Sequence, residues 1–204
     1  MIMNIIERAS YAKKDYNIQH REYVYQGFVQ VEKVSLVHRL FHQNNFTPVL
    51  QRELICRPEA AGVLIYNDQQ QKFALIEQFR IGAIDDAHSP WQLEIIAGIL
   101  DDQESPESCI CREAREESGC ELYDIQFLFR FYPSAGACSE IFHLYAAQAN
   151  LPEQGGVFGV ENEGENIQLH LFNYADIDTL LNNGRLSNAP VIMALQWLQQ
   201  HVSN

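Results

Sequence analysis

The sequence is poor in basic residues and contains no apolar run long enough to cross a lipid bilayer. Its 204 residues include 14 Lys and Arg against 27 Asp and Glu, which gives a formal net charge of −13 at pH 7. Nucleic acids and anionic membrane surfaces attract proteins through Lys and Arg, so this charge argues against both as partners. An acidic protein can still bind a small phosphate compound where metal ions and a few arginines supply local positive charge.

A disulfide framework is also missing. The five cysteines are odd in number and irregular in spacing, so we expect reduced and mostly buried thiols. On a helix with about 100° per residue, Cys109 and Cys111 point in different directions and cannot jointly hold one metal ion. Near the start of the chain, Glu7 and Arg8 interrupt the apolar stretch that a secretion signal requires. We therefore expect a cytoplasmic protein.

The alternation of apolar and polar residues predicts two domains. Residues 1–57 contain two or three antiparallel strands with breaks near Gly27 and over residues 42–45. So few strands are marginally stable alone, so this β domain is expected to pack on the main domain or on a second subunit. Residues 58–204 contain further apolar strands, one acidic helix in the middle and two helices at the end, as in an α/β domain.

The acidic helix has clear start and stop signals. Ser105 followed by Pro106 predicts an N-cap with proline in the first helical position, and Gly119 predicts the end of the helix.

Three carboxylates, Glu113, Glu116 and Glu117, fall within one third of the circumference of this helix. A solvated acidic face is the ordinary explanation of such a cluster. Here Arg112 beside them and Glu104 upstream favour a binding site instead. Oxygen ligands without His or Cys suit a hard divalent cation such as Mg²⁺ or Mn²⁺.

Two further features outside the helix indicate chemistry. Arg80 ends an apolar strand, where a guanidinium could serve as a bidentate phosphate ligand. The stretch 151–165 is rich in Gly and Glu and has no periodicity, which is typical of a functional loop or of disorder. Its glutamates Glu161, Glu163 and Glu165 are candidates for a carboxylate delivered by a moving loop.

Seven residues of this region stand at the intervals of a known motif: Gly98, Glu104, Arg112, Glu113, Glu116, Glu117 and Gly119. The chain thereby resembles the Nudix family of nucleoside-diphosphate hydrolases. The flanking stretches IEQFR, EIIAG, SAGACSE and ALQWLQQH resemble the bacterial ADP-ribose pyrophosphatase branch of that family. This similarity extends over most of the chain.

The resemblance implies an α/β/α sandwich with a mixed sheet, and a small N-terminal β domain that is exchanged across a homodimer. It also implies hydrolysis of ADP-ribose to AMP and ribose 5-phosphate with Mg²⁺ or Mn²⁺ as the cofactor. A diphosphate carries negative charges that repel a nucleophile, so two or three such ions would neutralise it and position the attacking water.

The resemblance further implies a role for each matching residue. The metal ligands would be the Ala97 carbonyl, Glu113, Glu117 and Glu165. Glu163 would be the general base, while Arg112 and Glu116 would hold the ligand carboxylates in place. The substrate would be bound by Arg80, Ser134 and Glu140, and its adenine end by Phe28, Val29, Arg52, Glu53 and Arg57, partly from the neighbouring subunit.

Two alternatives stay open. Ala135, sixteen residues after Gly119, occupies a position where this branch usually has proline, which leaves ADP-mannose or GDP-mannose as alternative substrates. The other alternative is a non-catalytic domain that senses ADP-ribose. Such domains usually lose carboxylates of the motif or carry a DNA-binding extension, whereas this chain keeps Glu113, Glu116 and Glu117.

Overall fold

A computed structural model describes residues 11–41, 43–160 and 164–203 of the chain. The Cα atoms group into two compact units. The first comprises Met1–Arg57 together with Ser134–Glu140, and the second comprises Pro58–Pro133 together with Ile141–Asn204. The segment 134–140 is remote in sequence from residues 1–57, yet it belongs to the same unit.

The first unit contains an antiparallel sheet, as the sequence predicts. In its described part, three strands are ordered β1-β2-β3, with β1 at Tyr16–Gln26, β2 at Gln30–His38 and β3 at Leu50–Cys56. The segment 134–140 lies beside β3, where the Ile55 N–H donates to the Ala137 carbonyl at 2.8 Å and the Ser139 N–H donates to the Ile55 carbonyl at 3.0 Å. These backbone bonds explain why a distant segment joins this unit.

The second unit is built on a mixed sheet, to which the described residues contribute eight strands. Its first four strands precede the acidic helix: β4 (Ala60–Asn67), β5 (Lys72–Phe79), β6 (Trp91–Glu94) and β7 (Ile96–Ile99). The other four follow it: β8 (Leu122–Phe131), β9 (Phe142–Ala149), β10 (Val157–Phe158) and β11 (Ile167–Asn173). The order is β10-β11-β5-β4-β9-β8, with β4 and β9 parallel and the other pairs antiparallel.

Helices cover both faces of this sheet, which confirms the predicted α/β/α sandwich. They are α1 (Pro106–Ser118), α2 (Ile177–Asn182) and α3 (Ala189–Val202). Alternate residues of β4 enter opposite cores: Leu64 packs in the cluster that contains Leu195 of α3, whereas Val63 packs in the cluster that contains Ile110 of α1. The strand is buried along its whole length, as its continuous apolar sequence predicts. No helix in the described part of the chain is both long and apolar enough to cross a membrane.

The apolar stretch 91–98 is not the single strand that its sequence predicts. It is broken at Ile95 into β6, which pairs with β5, and β7, which pairs with β4. β4 and β5 pair with each other only near their connecting turn, over Ile65–Asn67 and Lys72–Ala74. The segment therefore lies between the other ends of these two strands and changes its partner halfway along.

Candidate active site

The acidic helix α1 begins and ends where the sequence predicts. The Ser105 hydroxyl accepts a hydrogen bond from the Ser108 N–H at 3.1 Å, and Pro106 occupies the first turn. Gly119 follows the last turn with a left-handed φ of 69°, and its N–H donates to the Arg115 carbonyl at 2.9 Å. Such a conformation is strained for residues with a Cβ atom, so glycine is the suitable residue here.

Arg112 joins three carboxylates of the motif. Its Nη2 donates to Glu104 at 2.9 Å, its Nη1 donates to Glu113 at 2.6 Å, and the same Nη1 lies 3.3 Å from Glu116. The guanidinium also contacts the backbone, since the Ile99 carbonyl accepts a hydrogen bond from Nη2 at 3.2 Å. The hydrogen bonds from Arg112 lower the pKa of Glu104, and Glu104 in turn raises the pKa of the guanidinium. Arg112 thus contacts three carboxylates of the motif, and its role in holding ligand carboxylates in place stays a prediction.

Glu117 is the most deeply buried of these carboxylates, with 2% of its surface exposed. One of its oxygens accepts a hydrogen bond from the Ala97 N–H at 3.2 Å. Burial raises the pKa of Glu117 to about 9, and the negative charges of Glu113 and Glu165 add to this effect. Burial likewise raises the pKa of Glu113, although Arg112 opposes the rise. The site concentrates more negative charge than its own arginines neutralise.

Strand β7 approaches this helix very closely at Gly98. A Cβ atom at this position would lie 1.7 Å from Oε1 of Glu113 and 2.2 Å from its Cδ atom. The absence of a side chain at Gly98 therefore provides the space that the Glu113 carboxylate occupies.

The candidate glutamates of the loop can be placed only in part. Oε2 of Glu165 accepts a hydrogen bond from the Val160 N–H at 3.0 Å, and the Glu165 N–H donates to the Val160 carbonyl at 3.3 Å. The negative charge of Glu165 also contributes to the raised pKa values of Glu113 and Glu117, so Glu165 lies within electrostatic reach of these carboxylates. Glu161 and Glu163 lie outside the described residues.

This donor set fits a hard divalent cation. In the described part of the chain, no three Asp, Glu, His or Cys side chains converge at the spacing of metal ligands, and the Glu113 carboxylate contacts Arg112 instead. Glu117 nevertheless has a pKa far above the ordinary carboxylate range because it is buried beside other carboxylates. A cation bound by oxygen ligands would supply the missing positive charge, and such ligands are what Mg²⁺ and Mn²⁺ prefer.

Arg80 follows β5 and has a buried partner that the sequence does not predict. Its Nε donates to Oε2 of Glu94 at 2.9 Å, and Oε1 of Glu94 accepts from Nδ2 of Asn188 at 2.7 Å. The sequence places Glu94 where the chain approaches the acidic helix but does not predict its burial, which is 94%. Arg80 also lowers the pKa of Glu117, which places its positive charge within electrostatic reach of the carboxylate site.

The remaining predicted substrate residues belong to the first unit. Nε of Arg57 lies 2.6 Å from Oε2 of Glu140, and the Arg57 N–H donates to the Ser139 hydroxyl at 2.9 Å. The structure thus brings together Arg57 and the segment that contains Ser134 and Glu140. Four others have exposed or half-buried positions elsewhere in this unit: Phe28 and Val29 in the β1–β2 turn, and Arg52 and Glu53 on β3.

Comparison with known proteins supports this picture. A family model described as NUDIX domain matches residues 57–195. The ADP-ribose pyrophosphatase of Escherichia coli (strain K12) is 32% identical over 94% of this chain and 91% of its own length. The corresponding enzyme of Haemophilus influenzae is 30% identical over 93% of this chain and 88% of its own.

Two further similarities differ in kind. The GDP-mannose pyrophosphatase of Yersinia pestis is 38% identical over 74% of this chain and 75% of its own length. A solved structure described as an ADP compounds hydrolase has a TM-score of 0.70 and covers 95% of this chain and 97% of its own, at 22% identity. At that identity the similarity establishes the fold.

Proposed function

Because this chain belongs to the Nudix family, we propose that it hydrolyses the diphosphate of ADP-ribose to AMP and ribose 5-phosphate. The observation that carries the proposal is the cluster of carboxylates at α1. Arg112 contacts Glu104, Glu113 and Glu116, and Glu117 of the same cluster is almost fully buried. The pyrophosphatases of E. coli and H. influenzae, similar over nearly the whole chain, support ADP-ribose as the substrate.

In this proposal, the Ala97 carbonyl, Glu113, Glu117 and Glu165 would hold two or three Mg²⁺ ions, with Mn²⁺ as a substitute. Such ions would neutralise the diphosphate and lower the pKa of the attacking water. Arg112 and Glu116 keep the ligand carboxylates oriented.

The remaining residues bind the substrate or remove the proton. Glu163 is proposed to take a proton from the water, and Arg80 to bind the diphosphate. Ser134 and Glu140 are proposed to bind the substrate together with Arg80. The adenine end is assigned to five other residues of the first unit, namely Phe28, Val29, Arg52, Glu53 and Arg57, partly from the neighbouring subunit.

A panel of nucleoside diphosphate sugars tests the substrate. With Mg²⁺ and ADP-ribose, chromatography should show AMP appearing at a rate that saturates with substrate. GDP-mannose is the favoured second candidate, since the Y. pestis relative is a GDP-mannose pyrophosphatase and Ala135 stands at the usual proline position. Persistence of ADP-ribose with cleavage of GDP-mannose or ADP-mannose would disprove the proposed substrate. Binding of ADP-ribose without cleavage of any compound would instead indicate a sensor domain.

Substitution of Gly98 by alanine tests the carboxylate site. The new methyl group would occupy the position of Oε1 of Glu113, so this carboxylate must move while the backbone stays in place. We expect the rate of hydrolysis to fall by about thirtyfold, in the range known for displaced neighbours of metal ligands. The free energy of unfolding should change by about 1 kcal/mol or less, because only the end of a flexible side chain is displaced.

The matched control for this variant is Gly184→Ala, just after α2. A Cβ atom at Gly184 meets nothing within 4 Å, so activity should stay within about twofold of the wild type, although the left-handed φ of 77° makes alanine somewhat destabilising there. If Gly98→Ala retained full activity, the position of Glu113 would not matter for hydrolysis.

We also propose a homodimer in which the N-terminal β domain, residues 1–57, contributes to the partner's site. All eleven residues of β1 are exposed, and they include Tyr23, Val24 and Tyr25. In the second unit, Phe127 and Phe129 of β8 are about half exposed, at 52% and 44%. Apolar faces of this kind are typical of interaction surfaces. Analytical ultracentrifugation should give twice the chain mass, and a monomer at micromolar concentration would contradict the proposal.

A further inference from the structure

Glu94 is a charged residue in a buried strand. It ends β6 with 6% of its surface exposed, next to Ile95, where the strand changes its partner. A buried carboxylate is costly unless positive or hydrogen-bonding groups surround it. Among the described residues, those groups are Arg80 and Asn188, and each contacts a different carboxylate oxygen.

The contact with Arg80 fixes one edge of the guanidinium group. Oε2 of Glu94 lies 2.9 Å from Nε and 2.8 Å from Nη2 of Arg80. The backbone is fixed as well, since the Arg80 N–H donates to the Pro90 carbonyl at 2.9 Å. A guanidinium has five N–H donors in a rigid fork, so the edge with Nη1 keeps donors for a second oxyanion. No described residue accepts a hydrogen bond from Nη1.

The side chain of Asn188 bonds to the other oxygen of Glu94 and does not cap its own helix. It occupies the N-cap position of α3, where an asparagine side chain normally accepts a hydrogen bond from the helix backbone. Here it makes no such capping bond, and its Nδ2 donates to Oε1 of Glu94 at 2.7 Å. The beginning of α3 is thereby connected through Glu94 to Arg80.

The connected residues border open space. A cleft of about 430 Å³ is lined by Arg80, Glu94 and Asn188 together with residues of the 82–86 loop. The Arg80 side chain is 44% exposed, whereas that of Glu94 is 8% exposed. The guanidinium of Arg80 is therefore partly exposed to solvent, while the carboxylate that orients it is buried.

We propose that Glu94, held in place by Asn188, is a positioning residue that orients Arg80 toward the diphosphate of the substrate. This inference rests on the proposed function, in which Arg80 binds the diphosphate. A contribution to stability alone would not account for the arrangement, because a buried ion pair is often no more stabilising than well-packed apolar side chains of similar volume. What the contact between Glu94 and Arg80 does provide is a fixed orientation of the Nη1 edge of the guanidinium.

A double-mutant cycle tests this role. Glu94→Met removes the acceptor while filling the buried space, and Arg80→Ala removes the guanidinium. We expect each single variant to raise KM for ADP-ribose by about tenfold and to change kcat by less than about threefold. Because Glu94 acts through Arg80, the double variant should have the same KM as Arg80→Ala. Asn188→Ala should raise KM by about threefold, because one of the two fixing contacts remains.

The readouts separate positioning from stability. Glu77→Met is the matched control, since Glu77 is also a partly buried carboxylate of this sheet and pairs with Arg185 and His170. It should alter the thermal midpoint while KM stays within about twofold. The inference is overturned if the KM effects of Glu94→Met and Arg80→Ala multiply in the double variant, or if Glu94→Met leaves KM unchanged. Should Glu94→Met not fold, Asn188→Ala replaces it in the same cycle with the same two readings.

Failure of the proposed substrate is distinguishable from failure of this inference. If the wild type cleaves another nucleoside diphosphate sugar and leaves ADP-ribose intact, the proposed function is wrong. The cycle is then run on the compound that is cleaved, since that compound also presents a diphosphate to Arg80.

Discussion

Replacing Glu117 by glutamine is expected to slow hydrolysis of ADP-ribose by about a thousandfold, because one proposed metal ligand loses its charge and several kcal/mol of charge stabilisation depend on the metal. The change is isosteric, and the Ala97 N–H can still donate to the amide oxygen as it does to the carboxylate. Initial rates at saturating Mg²⁺ measure the effect. Glu107→Gln on the exposed first turn of α1 is the control and should retain wild-type activity. An unchanged rate for Glu117→Gln would remove this residue from the metal site.

The same substitution should stabilise the protein when metal is absent. The pKa of Glu117 is raised by burial to about 9, against a value of 4.5 for an unperturbed glutamate. Between these two values the folded protein retains a proton that the unfolded chain releases, so the free energy of unfolding falls as pH rises. Glutamine does not ionise, so the free energy of unfolding of the variant does not fall with pH for this reason.

Thermal unfolding in EDTA measures this second effect. At pH 8 the Glu117→Gln variant should unfold at least about 5 °C above the wild type, and at pH 4 the two should coincide. Equal thermal midpoints of the two proteins at pH 8 would show that burial does not raise the pKa of Glu117.

Replacing Glu163 by glutamine is expected to slow hydrolysis by about a hundredfold or more, as for loss of a general base. The matched control is Glu161→Gln on the same loop, which should keep activity within about threefold of the wild type. The described residues on either side of these two glutamates are joined by two hydrogen bonds between Val160 and Glu165.

The pH–rate profile distinguishes the base from a residue that only binds. In the wild type the rate should fall at low pH as the base becomes protonated, and in Glu163→Gln this dependence should be lost. Equal losses of activity in the two variants would leave the base unassigned between them.

Features set by neighbouring residues were predictable from the sequence. The beginning and end of α1 depend on Ser105, Pro106 and Gly119, which are close together in the chain, and the structure confirms all three. The same holds for the apolar face of α3, where Val191, Leu195 and Leu198 recur at helical spacing and are fully buried.

Features set by distant partners were not predictable. Nothing in the sequence around Ile95 marks the end of a strand. The strand is broken there because its two halves pair with β5 and β4, which are separated at this end of the sheet. Asn188 stands at the N-cap of α3, where asparagine usually bonds to the helix backbone, but its side chain donates instead to Glu94, far away in the chain. The union of segment 134–140 with the first unit likewise depends on its pairing with β3.

The break at Ile95 has a consequence for variation in chain length. Glu94 is aligned with Ile76 of β5, whereas Ala97 is aligned with Gly62 of β4. A residue gained or lost between them would turn the side chains of one half to the opposite face of the sheet. Insertions and deletions are therefore tolerable in the surface loops around the site, while the segment 91–99 has to keep its length whichever sugar the enzyme accepts.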